Sequence, residues 1–356
     1  MIRGTRMFAA AAGLALLLCA QSRAAELTDS LKKGTPELKS AGALAFGPEG
    51  ILFVGDSTSA AIFAIGTGDT KGNAKAPVKV EKLTEKIAAM LGAASADITV
   101  NDFKVNPASG NIFLSVARGK GPTAAPVLIK LDRAGKMTQL ELKDIPFASV
   151  TLPNASEKQR TEAITGLAYA KGQLIIAGLS NEEFASKLRA IAFPFKEADK
   201  GTSVEIIHGA HKGNVETRSP VRTFTIYDIA GKSNVMAAYQ CTPLVTFPVE
   251  SLKPGEKVRG TTIAELGNGN RPLDMIVYTK EGKDFLLLAN NKRGTMKIKL
   301  DGVDKAKPIT GAVPPKTGVP YDEIKEMSNV VQLDKLDAER VVVLTTEGDL
   351  NTVPLP

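Results

Sequence analysis

The chain has only two histidines, and both stand in one short stretch, His208-Gly-Ala-His211-Lys-Gly. With Cys241 they would form a borderline-to-soft donor set of the kind that suits copper or zinc. Cys241 could also act as a nucleophile, or it could be a small buried apolar residue. The histidines could equally be exposed in their Gly-rich loop. A second set is rich in oxygen. Asp56, Glu162, Asn181 and Asn290 offer carboxylates and amide oxygens, the donors of a hard divalent cation such as calcium. Asp and Asn also cap turns by bonding to nearby backbone. A third set, Arg222, Arg271 and Arg293, could converge on a carboxylate or phosphate. It could instead form salt bridges with Asp274 or Glu216.

The common catalytic signatures are missing from the 356 residues. There is no Gly-x-Ser-x-Gly elbow, phosphate-binding loop or His-Glu-x-x-His pair. With two histidines a Ser-His-Asp triad has little material. Any chemistry must therefore come from residues gathered by the fold, and the elements that gather them are legible.

Gly42 to Asp56 reads GALAFGPEGILFVGD, two apolar runs joined by a Gly-Pro-Glu-Gly turn, which is a hairpin pattern. The plan recurs in DFKVNPASGNIFLSV, in ITGLAYAKGQLIIAGLSN with its Lys171-Gly172 turn, and around Gly231-Lys232-Ser233. It appears again in DMIVYTKEGKDFLLLAN and in the last stretch from Asn329. Six such units predict an all-β, six-bladed propeller in which each hairpin is the inner half of a blade. Helical spacing is confined to short connections such as Glu85–Leu91. The sixth unit ends after three strands, so a strand at Glu37–Ser40 is expected to complete the last blade and close the ring.

In this architecture the start of each inner strand and the end of each second strand meet on one face, around a central funnel. Asn101, Asp102, Glu162, Arg222, Arg271, Asp274 and Asn329 occupy the first kind of position. Asp56, Arg118, Asn181, Cys241, Asn290, Asn291, Arg293 and Glu347 occupy the second. Asn101, Arg118, Arg222, Arg271, Arg293 and Asn329 are the candidates for binding a ligand in the funnel.

The paired runs ALAFGPEGILFVGD, DFKVNPASGNIFLSV and DMIVYTKEGKDFLLLAN resemble six-bladed propellers of the NHL-repeat and gluconolactonase-like group. The resemblance extends over nearly all of the chain after its first segment and is one of architecture. The chain has no Trp, so the tryptophan-marked WD40 and quinoprotein blades fit poorly. The gluconolactonase-like Glu-Gly-Pro opening followed by Trp is also absent. The resemblance implies two readings. One is a binding or scaffold protein that presents its funnel to a small molecule or a protein. The other is a divalent-metal-dependent hydrolase of lactones or esters, with Asp56, Glu162, Asn181 and Asn290 holding the cation.

The first 24 residues have the form of a secretory signal: Arg3 and Arg6, an apolar run from Met7 to Ala20, then Ser22-Arg23-Ala24 before a cleavage site. A periplasmic or secreted location follows as an expectation. Leu18 before Cys19 is large for a lipid-attachment motif, although anchoring at Cys19 stays open. The segment carries three Arg and no acid, so its loss would lower the net charge of +7. The remaining basic residues are scattered and aromatics make up 5% of the chain, a composition that points away from nucleic acid. Cys241 alone remains after cleavage, so no internal disulfide can form. Residues 25–356 are expected to form one monomeric domain without a membrane span.

Overall fold

A computed structural model describes residues 27–72, 76–241 and 243–356. The signal-like segment and Cys19 lie outside the described residues. The chain forms six blades of almost wholly antiparallel strands, the one parallel pairing among the described residues joining Thr202–His208 to Lys257–Arg259, and their inner strands stand side by side around a central channel. The six-bladed propeller is as the repeats predict. Numbered in chain order, the blades begin with the inner strands Leu44–Phe46, Ile98–Val105, Gly166–Ala170, Thr223–Ile229, Pro272–Lys280 and Val330–Lys335. Each pairs with the strand that follows it. Local turn chemistry drives this pairing. In the first hairpin Gly50 takes a positive φ of 69°, which favours a residue without Cβ.

The ring does not run in chain order. The inner strand of blade 1 packs against those of blades 2 and 3, and that of blade 2 packs against blade 6. Around the channel the order is therefore 1, 2, 6, 5, 4, 3. The chain builds three strands of blade 1, steps aside to make blade 2, and returns with Ile145–Thr151 to pair with Ala61–Gly66 of blade 1. It then continues to blade 3 on the opposite side. Buried Asp69 helps hold the outward step, accepting hydrogen bonds from Lys130 (2.5 Å) and Asn111 (2.8 Å) of blade 2.

Ring closure differs from the expectation. The N-terminal strand is Lys32–Gly34, and it pairs with Ile145–Thr151 at the outer edge of blade 1. Glu37–Ser40 is not a strand; its end bonds to Asp56. Blade 6 is completed by Lys79–Val80, which pairs with Leu350–Pro354. Val78, just before Lys79–Val80, accepts a hydrogen bond from the Thr352 N–H (2.9 Å). The reason is packing. Val78, Val80, Leu83 and Ile87 of this segment and its following helix, Leu83–Leu91, are buried with Ile98, Val342, Leu344 and Leu350. Burial of each such side chain is worth about 1.5–3 kcal/mol. The polar Glu37–Ser40 stretch offers no comparable apolar face.

The remaining cores lie between neighbouring blades. Between blades 1 and 3, Phe53 stacks on Tyr169 at 5.5 Å and meets Phe193 edge-on at 5.0 Å. Among the described residues, no helix is long and apolar enough to cross a membrane.

Candidate functional site

The central channel encloses about 850 Å³ and is lined by the inner strands of all six blades. Alternation along a strand sends every second side chain into it. In blade 2 this brings Asp102 and Lys104 to the same wall. Asp274 of blade 5 and Asp334 of blade 6 complete a charged cluster. Lys104 Nζ lies 3.3 Å from Asp102 Oδ1 and 3.7 Å from Asp274 Oδ2.

Each aspartate also spans a joint between blades. Asp102 Oδ2 accepts the Leu44 N–H of blade 1 (2.7 Å), and Asp334 Oδ2 accepts the Val105 N–H of blade 2 (2.7 Å). Asp274 Oδ2 accepts the Leu333 N–H of blade 6 (3.0 Å). The inner strands of blades 2, 5 and 6 each carry a register irregularity near their start. Such a bulge re-aims the side chains that follow it.

Burial pushes the Asp102 carboxyl up to about 6, with the neighbouring Asp274 charge adding to the effect and Lys104 opposing it. Burial likewise raises Asp334 to about 6 against the pull of Lys104. For Lys104, burial alone would favour the neutral amine. The three carboxylates more than offset it and hold the ammonium charged well above the ordinary lysine range. With all four groups ionised, one positive charge faces three negative ones.

At the mouth where the inner strands begin, Asn101, Arg222, Arg271 and Gln332 line the channel. Arg222 is committed to Glu162, with Nη1 at 2.7 and 2.9 Å from the two carboxylate oxygens. Arg271 is exposed, and its guanidinium makes no hydrogen bond or ion pair with the described residues. Asn101 Nδ2 donates to the Ala41 carbonyl, and the Asn101 carbonyl accepts from Gln332 Nε2. The opposite wall, from blades 1, 3 and 4, presents Leu44, Ala45, Leu167 and Phe224.

Three of the six funnel candidates, Asn101, Arg222 and Arg271, therefore line the channel. The other three do not. Arg118 is exposed and reaches the Leu91 carbonyl, Arg293 bonds to the Asn268 carbonyl, and Asn329 bonds to Glu347. The three arginines do not converge, and neither Asp274 nor Glu216 is their ionic partner.

The oxygen-ligand set is not assembled, and none of its members lines the channel. Asp56 is fully buried and accepts from Lys39 N, Ser40 N, Ser40 Oγ and Ser59 N. Asn181 Oδ1 caps the Glu157 N–H, and Asn290 Oδ1 caps the N–H groups of Lys292 and Arg293. All four are thus committed: Asp56, Asn181 and Asn290 to backbone N–H groups, the alternative that capping offered, and Glu162 to its ion pair with Arg222.

His208 and His211 do come together, with rings stacked at a centroid distance of 3.7 Å. Their partner is Glu216. Cys241 lies elsewhere, in a turn with φ of 62° and its N–H on the Asn270 carbonyl. Lys104 and Asp334 escaped the sequence reading. The signal for both was available, since each lies two residues or fewer from a polar strand residue within an apolar run.

The sequence matches no protein-family model and no curated relative. Solved structures to which the chain shows some similarity include the extracellular domains 1–2 of Drosophila semaphorin 1b, 11% identical over 92% of this chain and 87% of that one, with a TM-score of 0.42. Another is the PQQ-bound aldose sugar dehydrogenase of Streptomyces coelicolor, 13% identical over 90% of this chain and 96% of that one, TM-score 0.37. Hydrazine synthase of Kuenenia stuttgartiensis is 10% identical over 90% and 97%, TM-score 0.38.

Proposed function

We propose that the protein is an exported binding propeller whose central channel takes a small molecule carrying a positively charged group. One observation carries this reading. A channel of about 850 Å³, within the size range of small-molecule sites, has three carboxylates around a single ammonium at its waist. A cationic group entering there would meet the unbalanced negative charge, while the apolar wall of blades 1, 3 and 4 would take the rest of the molecule. Arg271 at the mouth gives the site room for a ligand that also bears an anionic end. The signal-like first 24 residues support export.

Thermal unfolding in the presence of alkyl amines of increasing length, with the matching carboxylates in parallel, tests the proposal. The amines should raise the melting temperature and the carboxylates should not. Asp274→Asn should weaken the amine effect by about tenfold, in the range for loss of one charged hydrogen-bonding partner. An equal response to both series, or an amine effect unchanged in Asp274→Asn, would reject it.

A further inference from the structure

The seam between blades 3 and 4 holds a second polar cluster, away from the channel waist. His208 ends the strand Thr202–His208 of blade 3, and Glu265 lies in the strand Thr261–Leu266 of blade 4. His208 is 1% exposed, and its Nδ1 lies 2.8 Å from Glu216 Oε1. His211 Nδ1 approaches the same oxygen at 3.4 Å. The three ligand atoms lie within 4.8 Å of one another.

The 3.4 Å separation is that of neighbouring donors on a metal, and the 2.8 Å contact is a hydrogen bond that a metal would open by about 0.5 Å. Zinc binds imidazole nitrogen and carboxylate oxygen at about 2.0–2.2 Å, so neighbouring donors of a tetrahedral site stand about 3.3 Å apart. The remaining oxygen of Glu216 accepts the Ser219 hydroxyl, which fixes the carboxylate.

A separate observation concerns the far side of His208. Its Nε2 is buried without a hydrogen-bond partner and points towards Glu265 Oε2 at 3.6 Å. Glu265 is 1% exposed, and neither of its oxygens completes a hydrogen bond of normal geometry. The backbone N–H groups of Gly209 and Ala210 face the Glu265 carboxylate, while the His208 Nε2 edge, buried beside it, has no partner at hydrogen-bond distance and is costly to keep so. Binding of a metal at Nδ1 fixes the proton on Nε2 and gives that proton a carboxylate to face. Histidine ligands commonly have this outer partner.

We propose that His208 Nδ1, His211 Nδ1 and Glu216 Oε1 bind a divalent metal of the zinc class, with Glu265 as the outer carboxylate that orients His208. The loop is built to hold the arrangement. A Cβ on Gly209 would come within 2.7 Å of side-chain atoms of Ile309 and Val313, so residues 309–313 clamp the turn between the two histidines. His211 remains partly open, with 42% of its side chain exposed, which leaves the metal a coordination position for a ligand from solvent. Glu216 also borders a cavity of about 440 Å³ that shares Arg222 with the channel mouth. The open position thus lies beside a space next to the proposed ligand site, although metal binding does not depend on that site's function.

The test is calorimetric titration of the EDTA-treated and dialysed full chain with zinc chloride. One equivalent should bind. His211→Ala, at an exposed position, should fold as judged by circular dichroism and bind at least about 100-fold more weakly. Glu265→Gln should keep the stoichiometry and lose about 10–100-fold in affinity, as for other outer-partner changes. Cobalt chloride should give the strong visible absorption of a four-coordinate site in the parent protein and not in His211→Ala. Absence of saturable zinc binding would overturn the proposal. So would binding of equal affinity in the parent and His211→Ala.

Discussion

Blades 2, 5 and 6 meet the channel with Asp102, Asp274 and Asp334, whereas blades 1, 3 and 4 meet it with Leu44, Leu167 and Phe224. The two halves hold neighbouring inner strands together by different means. In the charged half a carboxylate of one blade takes a backbone N–H of the next, at joints 5–6, 6–2 and 2–1. In the uncharged half, side chains fill the joint. Phe53, Tyr169 and Phe193 pack between blades 1 and 3, and the Gly166 backbone lies so close to Phe224 that a Cβ there would come within 2.9 Å of the ring. The charged half contains joint 6–2, where blades far apart in the chain meet. A directional bond to backbone fixes strand register at that joint, where the covalent link runs only from the outer strand Lys79–Val80 of blade 6 through the helix Leu83–Leu91 to blade 2. The same carboxylates give the channel its negative waist, so closure of the ring and the proposed recognition of a cation draw on one set of groups.

This contrast predicts unequal responses to substitution. The largest loss should come from the packed half. Phe53→Ala removes a fully buried ring and should cost about 3–5 kcal/mol, read as a fall in the denaturant midpoint with little change between pH 5 and 8. A strong pH dependence of that cost would break the contrast.

Lys104→Met in the charged half should cost about 3 kcal/mol at pH 8, where it leaves the carboxylates without their counter-charge, and distinctly less at pH 5. The sign follows from Asp102 and Asp334, whose values rise from 3.8 in the unfolded chain to about 6. The folded protein therefore binds their protons more tightly. Through these groups stability is highest below about pH 4, falls as pH rises to about 6, and stays lowered above that. Removing the ammonium raises both carboxyls further and steepens the fall. Equal costs at the two pH values would show that Lys104 acts by packing alone.

The smallest effect should come from Arg222→Met. It breaks the Glu162 pair, which is 18% and 25% exposed, and should cost less than about 1 kcal/mol. A loss as large as that of Lys104→Met would place ionic clasps in the uncharged half too.

The hairpins were legible in the sequence because their determinants are adjacent residues: turn glycines such as Gly50, Gly172 and Gly282, all at positive φ, flanked by alternating apolar residues. Blade order was not. Lys79–Val80 is a two-residue strand with no pattern of its own, and its partner Leu350–Pro354 is far from it in sequence. The funnel positions of Asn101, Arg222 and Arg271 followed from strand starts. Asp56 has a strand-end position too, but its four hydrogen bonds turn it inward, and sequence position does not report a side chain's direction. Glu265 was a missed signal of another kind: a carboxylate within the apolar run Thr-Thr-Ile-Ala-Glu-Leu, where burial demands a partner.

The detour through blade 2 sets an order in time. Blade 1 lacks its fourth strand until Ile145–Thr151 has been made, and blade 6 lacks its own until Lys79–Val80 and Leu350–Pro354 have met. The bond from the Val78 N–H to Thr352 Oγ1 spans 274 positions, and contacts so distant form slowly because a long loop must close first. A growing chain therefore carries Lys79–Val80 unpaired until Leu350–Pro354 is available. During that interval the exposed edge can pair with another chain, and the helix Leu83–Leu91, next to it in sequence, is the nearest element placed to cover it.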